Sequence, residues 1–221
     1  MARTRVNLRR LLVEGRDEQR LIPYLVEENG IPWGETRADA IVQIDEFDGV
    51  ENLLKPGIIE AELKSSNLSQ LGIILDADEN LAARWASVRT RCIQAFPNLP
   101  NELPTTGLVV ENETGLRLGI WIMPDNRSSG MLETFLTYLV PIQSDGVYHH
   151  ALASVDAARK CGALFKDSHL DKAKIHTWLA WQDPPGRQLH QAIMERILTP
   201  NSDSAQPFIR WFKELFMLGN Q

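Results

Sequence analysis

The stretch LGIILDADEN, residues 71–80, decides the fold of this chain. Its first five residues are aliphatic apart from one glycine, so the run is too short for a typical helix and apolar on both faces. A central strand of a parallel sheet has this composition, because helices cover such a sheet on both sides. Ligands of an open α/β sheet bind at the carboxyl ends of the strands. The sequence therefore predicts that Asp76 and Asp78 lie at the mouth of a site.

The D-x-D spacing of these two residues has two interpretations. In an extended segment both side chains point the same way, about 6 to 7 Å apart, and carboxylates this close repel each other unless a cation lies between them. Mg²⁺ is held by one or two carboxylates, with water or phosphate in its remaining positions. The alternative is that an Asp after a buried strand caps a helix or forms a turn. A second acidic site is needed to support the metal interpretation.

A second acidic site follows the first predicted strand. Residues 6–13 form a largely apolar run that ends at Glu14, and the apolar spacing after it predicts a helix over residues 17–28. If the strands are parallel, Glu14 shares one edge of the sheet with the D-x-D pair. Glu18 can reach the same edge from the start of the helix, although an acidic residue in a first turn also compensates the helix dipole.

The same alternation of strands and helices continues to about residue 142, which predicts an α/β core with a mostly parallel sheet flanked by helices. Further strands are predicted over residues 40–47, 105–111 and 117–123, and helical segments over 50–64, 79–96 and from Met131 onward. Pro56 and Gly57 predict that the first of these helical segments is two short pieces. The turn residues 112–115 predict a hairpin, and so an antiparallel extension of the sheet. On the helix at 79–96, the spacing points Arg84, Arg89 and Arg91 outward.

Residues 143–221 are predicted to form a helical extension packed on the core of residues 1–142. Helical spacing covers residues 148–164, 170–181, 188–198 and 205–217. The basic cluster of note in this part is Lys166, Lys172, Lys174 and His176. A cluster of this kind is usually a solvated helix face. The functional alternative is that one lysine, for which Lys174 is our candidate, reaches the acidic edge and contacts a scissile phosphate.

Composition narrows the class of protein. The 221 residues are 43% hydrophobic and carry a formal net charge of −6. This acidity argues against a broad basic face, but a metal site can neutralise phosphate locally. No stretch approaches the roughly 18 uncharged apolar residues of a membrane span, and no signal peptide is indicated, so we expect a cytoplasmic protein with no membrane partner. Cys92 and Cys161 lack metal spacing and are expected to be buried thiols.

The two acidic motifs resemble a known family. Residues 13–17, VEGRD, followed by residues 73–78, IILDAD, are similar to the Toprim domain, the metal-binding module of topoisomerases, DnaG-type primases, small Toprim ribonucleases and the overcoming-lysogenization-defect (OLD) nucleases. Glu14, Asp76 and Asp78 are the matching positions, and the resemblance implies a Toprim-like fold with Mg²⁺ between them. Glu14 and Glu18 as E-x-x-x-E resemble the OLD branch.

Later motifs resemble a smaller group. Residues 121–126, WIMPDN, with residues 130–133, GMLE, are similar to a bacterial family of Toprim-related proteins known as DUF3226, and this similarity covers most of the chain. Glu133 has two interpretations. It is either a further carboxylate of a one- or two-metal site, as the OLD resemblance implies, or a first-turn glutamate that interacts with the helix dipole. Asp125 fits ordinary turn chemistry better.

Together these features predict a nuclease that depends on Mg²⁺, with Mn²⁺ as an alternative ion, and that hydrolyses phosphodiesters of DNA or RNA. Asp76 and Asp78 would hold one ion, and Glu14 would bind it or act as general acid or base. Glu18 and Glu133 would complete a second metal site. The competing prediction is a Toprim-fold protein without turnover that binds metal and nucleotide, or regulates phage defence or a toxin-antitoxin system. Its partner would be a second copy of the chain or a defence-system protein.

Overall fold

A computed structural model describes residues 9–36 and 38–218 of the chain. The predicted start of the first strand, residues 6–8, lies outside these ranges. The α/β part consists of β1 (Arg9–Val13), α1 (Arg16–Glu27), β2 (Gln43–Glu46), α2 (Val50–Leu53), α3 (Ile58–Glu62), β3 (Gln70–Asp76), α4 (Leu81–Cys92), β4 (Leu108–Glu111), β5 (Arg117–Met123) and α5 (Leu132–Thr137). It is followed by α6 (Asp145–Lys160), α7 (Leu170–Leu179), α8 (Leu189–Met194) and α9 (Gln206–Phe216).

The strands form one sheet in the order β2-β1-β3-β5-β4. All neighbouring pairs are parallel except β4 and β5, which form the predicted antiparallel hairpin. β3 lies at the centre, and its residues from Gln70 to Leu75 are buried. The prediction of an α/β protein with a mostly parallel sheet flanked by helices is therefore confirmed, and the run at residues 71–75 is the central strand.

Helices cover the two faces of the sheet with two separate apolar cores. On one face, Leu71, Ile73 and Leu75 pack with residues of α2, α3 and α4. On the other face, Ile74 and its neighbours on β1 and β5 pack with α1, α5 and residues of α6 to α9. The C-terminal helices therefore complete a core that begins on the sheet. The division of the chain between residues 142 and 143 stays a prediction.

The glycine within the central strand permits the closest of these contacts. Gly72 of β3 lies opposite Gly119 of β5, and the side chain of Leu215 on α9 packs against both. A Cβ on Gly119 would lie 2.5 Å from Leu215 Cδ2, and one on Gly72 would lie 2.6 Å from Leu11 Cδ1. Because glycine has no side chain at either position, α9 can approach the sheet directly. Arg117 Nη1 of β5 also donates a 2.8 Å hydrogen bond to the Glu214 carbonyl oxygen of α9.

The segment at residues 50–64, the two cysteines and the hydropathy of the helices were also subjects of prediction. The helical segment at 50–64 is two short helices, as Pro56 and Gly57 predict, and Gly57 has a φ of 95° before α3. The expectation of two buried thiols holds for Cys92 and is wrong for Cys161, which is exposed just after α6. In the described part of the chain, no helix combines the length and the hydropathy needed to cross a membrane.

Candidate active site

The carboxyl ends of β1 and β3 and the first turns of α1 and α5 surround one pocket of about 290 Å³. Five of the six predicted site residues line it, and they come from four separate elements of the fold. The acidic residues of the lining are Glu14, Asp17, Glu18, Asp48, Asp76, Asp78 and Glu133, and the basic residues are Arg16, His169 and Lys172. The parallel arrangement of the sheet therefore brings Glu14 and the D-x-D pair to one edge, as the sequence predicts.

Glu14 and Asp76 are connected through the backbone. The Asp76 N–H donates a 2.7 Å hydrogen bond to Glu14 Oε1. The Asp76 side chain in turn accepts a 2.9 Å hydrogen bond at Oδ1 from the Leu132 N–H, at the start of α5. The Asp76 carboxylate therefore satisfies one backbone donor at the start of α5, although the N-cap residues of α4 and α5 are Asn80 and Met131. Each of these bonds uses one of the two oxygens of its carboxylate.

Asp78 lies in a tightly held turn. Its φ is 50°, in the left-handed region, and its backbone exchanges two 2.8 Å hydrogen bonds with Gly130. Its Oδ2 accepts a 2.5 Å hydrogen bond from Arg84 Nη2, and Arg84 Nε donates to the Asp76 carbonyl oxygen at 2.7 Å. The prediction that Arg84 points outward is wrong. Side chains of a helix lean toward its N-terminus, and α4 begins directly after the acidic turn, so Arg84 folds back over it.

Glu18 and Glu133 are the most buried carboxylates of the pocket, with 7% and 3% of their surface exposed. Glu133 Oε1 lies 2.8 Å from Lys172 Nζ of α7. Glu18 lies at the third position of α1. The backbone N–H groups of Glu18 and Gly15, at the start of this helix, act to lower the pKa of its carboxyl group, but burial outweighs them.

The structure places a lysine in the pocket, but it is not Lys174. Lys174 Nζ is paired with Asp171 Oδ1 at 2.8 Å, within its own helix, and Lys174 is not part of the lining. Lys172 lines the pocket instead. Asp125 acts as a turn residue, because its Oδ1 accepts hydrogen bonds from the N–H groups of Arg127 and Ser128. Asp17, Asp48 and His169 were not predicted as site residues, since nothing local in the sequence separates them from ordinary turn and helix-end residues.

With this geometry established, comparison with protein families is informative. A family model described as "Protein of unknown function (DUF3226)" matches residues 8–217. The chain belongs to the DUF3226 family. No curated protein and no solved structure matched it. Membership of the DUF3226 family does not by itself specify a reaction for this protein.

The electrostatics of the DUF3226 pocket disfavour a full set of negative charges. Burial, with repulsion from Glu18 and Asp78, raises the pKa of Glu14 to about 7, although the Asp76 N–H and Arg84 act in the opposite direction. Burial and the neighbouring carboxylates also raise the pKa of Asp76 well above its usual range. Burial and then Glu133 raise the pKa of Glu18. Burial and mutual repulsion therefore make the charged forms of these three groups less favourable than those of free carboxyl groups.

The pKa of Lys172 is also raised, which favours the charged form of this lysine. Desolvation alone would lower the pKa of its ammonium group, but the hydrogen bond to Glu133 and the charges of Glu133, Asp17 and Asp76 raise it overall.

Within residues 9–36 and 38–218, no three His, Cys, Asp or Glu side chains are arranged as a ready set of ligands around one point. In this DUF3226 structure, protein donors hold carboxylate oxygens that a metal ion would otherwise use.

Proposed function

We propose that this protein is a divalent-metal-dependent phosphodiester hydrolase, a nuclease acting on DNA or RNA. One observation carries the proposal. Five carboxylates of Glu14, Glu18, Asp76, Asp78 and Glu133 line one pocket at the end of a parallel sheet, although burial and mutual repulsion raise the pKa of three of them. A purely structural role does not require so many like charges in one place, whereas bound divalent cations would offset the repulsion between them.

The donor set suits Mg²⁺ or Mn²⁺, because all five groups offer the hard carboxylate oxygens that these ions prefer. Asp76 and Asp78 would hold one ion, which Glu14 would also bind unless it acts as general acid or base, and Glu18 with Glu133 would complete a second site. A bound ion would stabilise charge on the phosphoryl oxygens and make a water molecule more acidic. The motifs around Glu14 and the D-x-D pair, which resemble the Toprim domain and its OLD-type nucleases, support the same assignment.

The residues of the chain supply the remaining chemistry. In hydrolysis, the oxygen of a water molecule bonds to phosphorus while the bond from phosphorus to the leaving oxygen breaks. The water loses a proton and the leaving oxygen gains one. Glu14, with a pKa of about 7, can accept or return such a proton near neutral pH, where a general acid or base works best. Lys172, which lines the pocket, rather than Lys174, would stabilise negative charge on the phosphate.

A second function is favoured by a specific observation. Asp78 and Glu133 are already paired with Arg84 and Lys172, and the chain as a whole is acidic. A protein that binds metal and nucleotide without turnover, as part of phage defence or a toxin-antitoxin system, would tolerate such pairs. In both cases we place the protein in the cytoplasm.

Titration of Mg²⁺ and Mn²⁺ by calorimetry, on the wild type and on Asp76→Asn, tests the proposal. The same samples are incubated with supercoiled plasmid, single-stranded DNA and RNA. Metal binding and cleavage that are both lost in the variant would support the nuclease and identify its substrate. Metal binding without cleavage of any substrate would favour the second function. If the wild type binds neither ion, the carboxylates are only caps and turn residues, and the proposal fails.

A further inference from the structure

Two protein cations hold carboxylates of the candidate metal site. Arg84 is bonded to Asp78, and Lys172 to Glu133. Both carboxylates lie in the pocket at the end of the sheet. An oxygen that accepts a hydrogen bond from a guanidinium or an ammonium group cannot coordinate a metal ion through the same lone pair at the same time. These pairs therefore compete with any cation that the pocket binds.

The two pairs differ in how firmly they are held. The side chain of Arg84 is 15% exposed and makes two bonds, one to the Asp78 carboxylate and one to the Asp76 carbonyl oxygen. The side chain of Lys172 is 46% exposed and reaches Glu133 through a single ammonium group. Arg84 is therefore the more strongly oriented of the two cations, and it is anchored to the strand that carries the D-x-D motif.

A second pocket, of about 470 Å³, lies beside the first and shares Asp78 with it. Its polar lining consists of Asp78, Glu79, Asn80, Arg84, Ser87 and Ser168. Arg84 contributes a guanidinium group to this pocket, and Glu79 is exposed to solvent. Arginine binds phosphate in a planar, two-point geometry. A guanidinium released from Asp78 would thus remain beside a space large enough for a phosphate group.

We propose that Arg84 and Lys172 are built-in counter-ions of the carboxylate cluster, which give up Asp78 and Glu133 to a bound divalent ion, and that the released Arg84 binds a phosphate of the substrate in the second pocket. This inference rests on the proposed function and adds two elements to it. It assigns a phosphate subsite next to the scissile position, and it makes Arg84 a residue that opposes metal binding while it promotes substrate binding.

The test uses two binding measurements with opposite expected signs. Arg84→Gln should bind Mg²⁺ about tenfold more tightly than the wild type in calorimetry, because one competing positive charge is removed. The same variant should bind a short phosphorothioate DNA strand about tenfold more weakly in the presence of Mg²⁺, measured by fluorescence anisotropy. Arg91→Gln is the matched control. It removes the same charge from the same helix, but Arg91 contacts Leu54 and Glu60 instead of the pocket, so both affinities should stay at wild-type values.

Lys172→Gln keeps the inference testable if Arg84→Gln does not fold. This variant changes a half-exposed side chain and should also bind Mg²⁺ several-fold more tightly. Equal or weaker Mg²⁺ binding in both Gln variants, with normal binding in the wild type, would overturn the inference and leave the proposed function intact. Unchanged binding of the DNA strand by folded Arg84→Gln would overturn the phosphate subsite. No Mg²⁺ binding by the wild type would overturn both the inference and the proposed function.

Discussion

Glu14 and Asp76 are 62 residues apart in the sequence, yet the Asp76 N–H donates a 2.7 Å hydrogen bond to Glu14 Oε1. This bond joins the ends of two strands, β1 and β3, that pair in parallel. It also brings the two acidic side chains into one pocket, where the charge of Glu14 raises the energy of ionising Asp76. The local structure of the candidate site is therefore well ordered but electrostatically unfavourable, and several measurable properties follow from that.

Asp76→Asn should raise the thermal stability of the metal-free protein while it removes activity. The amide oxygen of Asn can still accept the hydrogen bond from the Leu132 N–H, but the negative charge that its neighbours repel is lost. We expect a higher melting temperature in a chelator and a loss of cleavage of about 100-fold or more. Glu113→Gln, which changes an exposed residue of the hairpin turn, is the control. A lower melting temperature for Asp76→Asn would show that its charge stabilises the fold.

The stability of the metal-free protein should fall as the pH rises from about 4.5 to about 7. Folding raises the pKa of Glu14 from 4.5 to about 7, so over this range the folded state binds more protons than the unfolded state. Stability then decreases with pH, because its slope follows the protons bound by the unfolded state minus those bound by the folded state. The raised pKa values of Glu18 and Asp76 act in the same direction.

Denaturant titrations at a series of pH values, in a chelator, measure this effect. Glu14→Gln should flatten the curve, and saturation with Mg²⁺ should reduce the loss of stability that is complete by about pH 7. A stability that rises with pH over the same range would contradict the argued direction of these shifts.

Glu133→Gln should weaken the binding of one of the two proposed metal ions and leave the affinity for the other unchanged. The amide can still accept a hydrogen bond from Lys172, so the local fold should persist, but a buried carboxylate that we propose as a metal ligand is lost. We expect the weaker Mn²⁺ event in calorimetry to lose about tenfold in affinity, as for a two-metal site in which separate carboxylates hold each ion. A single Mn²⁺ event in the wild type that is unchanged in Glu133→Gln would assign Glu133 to the start of α5 alone.

Lys172→Gln and Lys174→Gln form a matched pair, because each removes one positive charge from α7. Lys172 lines the pocket, whereas Lys174 is paired with Asp171. We expect the first variant to slow cleavage by about 10-fold to 100-fold and the second to leave it within about twofold of the wild type. The measurement is steady-state cleavage of whichever substrate the wild type cleaves among supercoiled plasmid, single-stranded DNA and RNA. The reverse order of effects would restore Lys174 as the candidate.

Gly119→Ala should destabilise the fold by about 1 to 3 kcal/mol, because the added methyl group overlaps Leu215 in a buried, close-packed contact. Replacing Leu215 by Ala in the same chain should recover part of this loss, although it removes apolar contact itself. Gly146→Ala is the control. A Cβ there meets no atom within 4 Å and lies in α6, so we expect a gain of about 0.4 to 1 kcal/mol. Urea unfolding curves distinguish the two variants.

Much of this structure could be predicted from local patterns. The strand at residues 117–123 has the predicted bounds, and β1 and α1 end within one residue of prediction at their C-terminal ends. Periodicity was sufficient because one or both faces of these elements are buried. The edge strands were predicted too long. β2 and β4 have four residues each, and an edge strand ends where its neighbour no longer offers hydrogen bonds, which the sequence does not show.

The sequence by itself determined the order of strands and helices, and it placed acidic residues directly after two strands that turn out to be parallel neighbours. Only the tertiary structure decided which cations accompany them. Lys172 and Lys174 are two residues apart on α7, so they point about 200° apart around the helix, and the docking of α7 on α5 selects Lys172. The position of Arg84 depends in the same way on where α4 begins relative to the end of β3. Such choices depend on distances between elements, and periodicity within a single element carries no information about them.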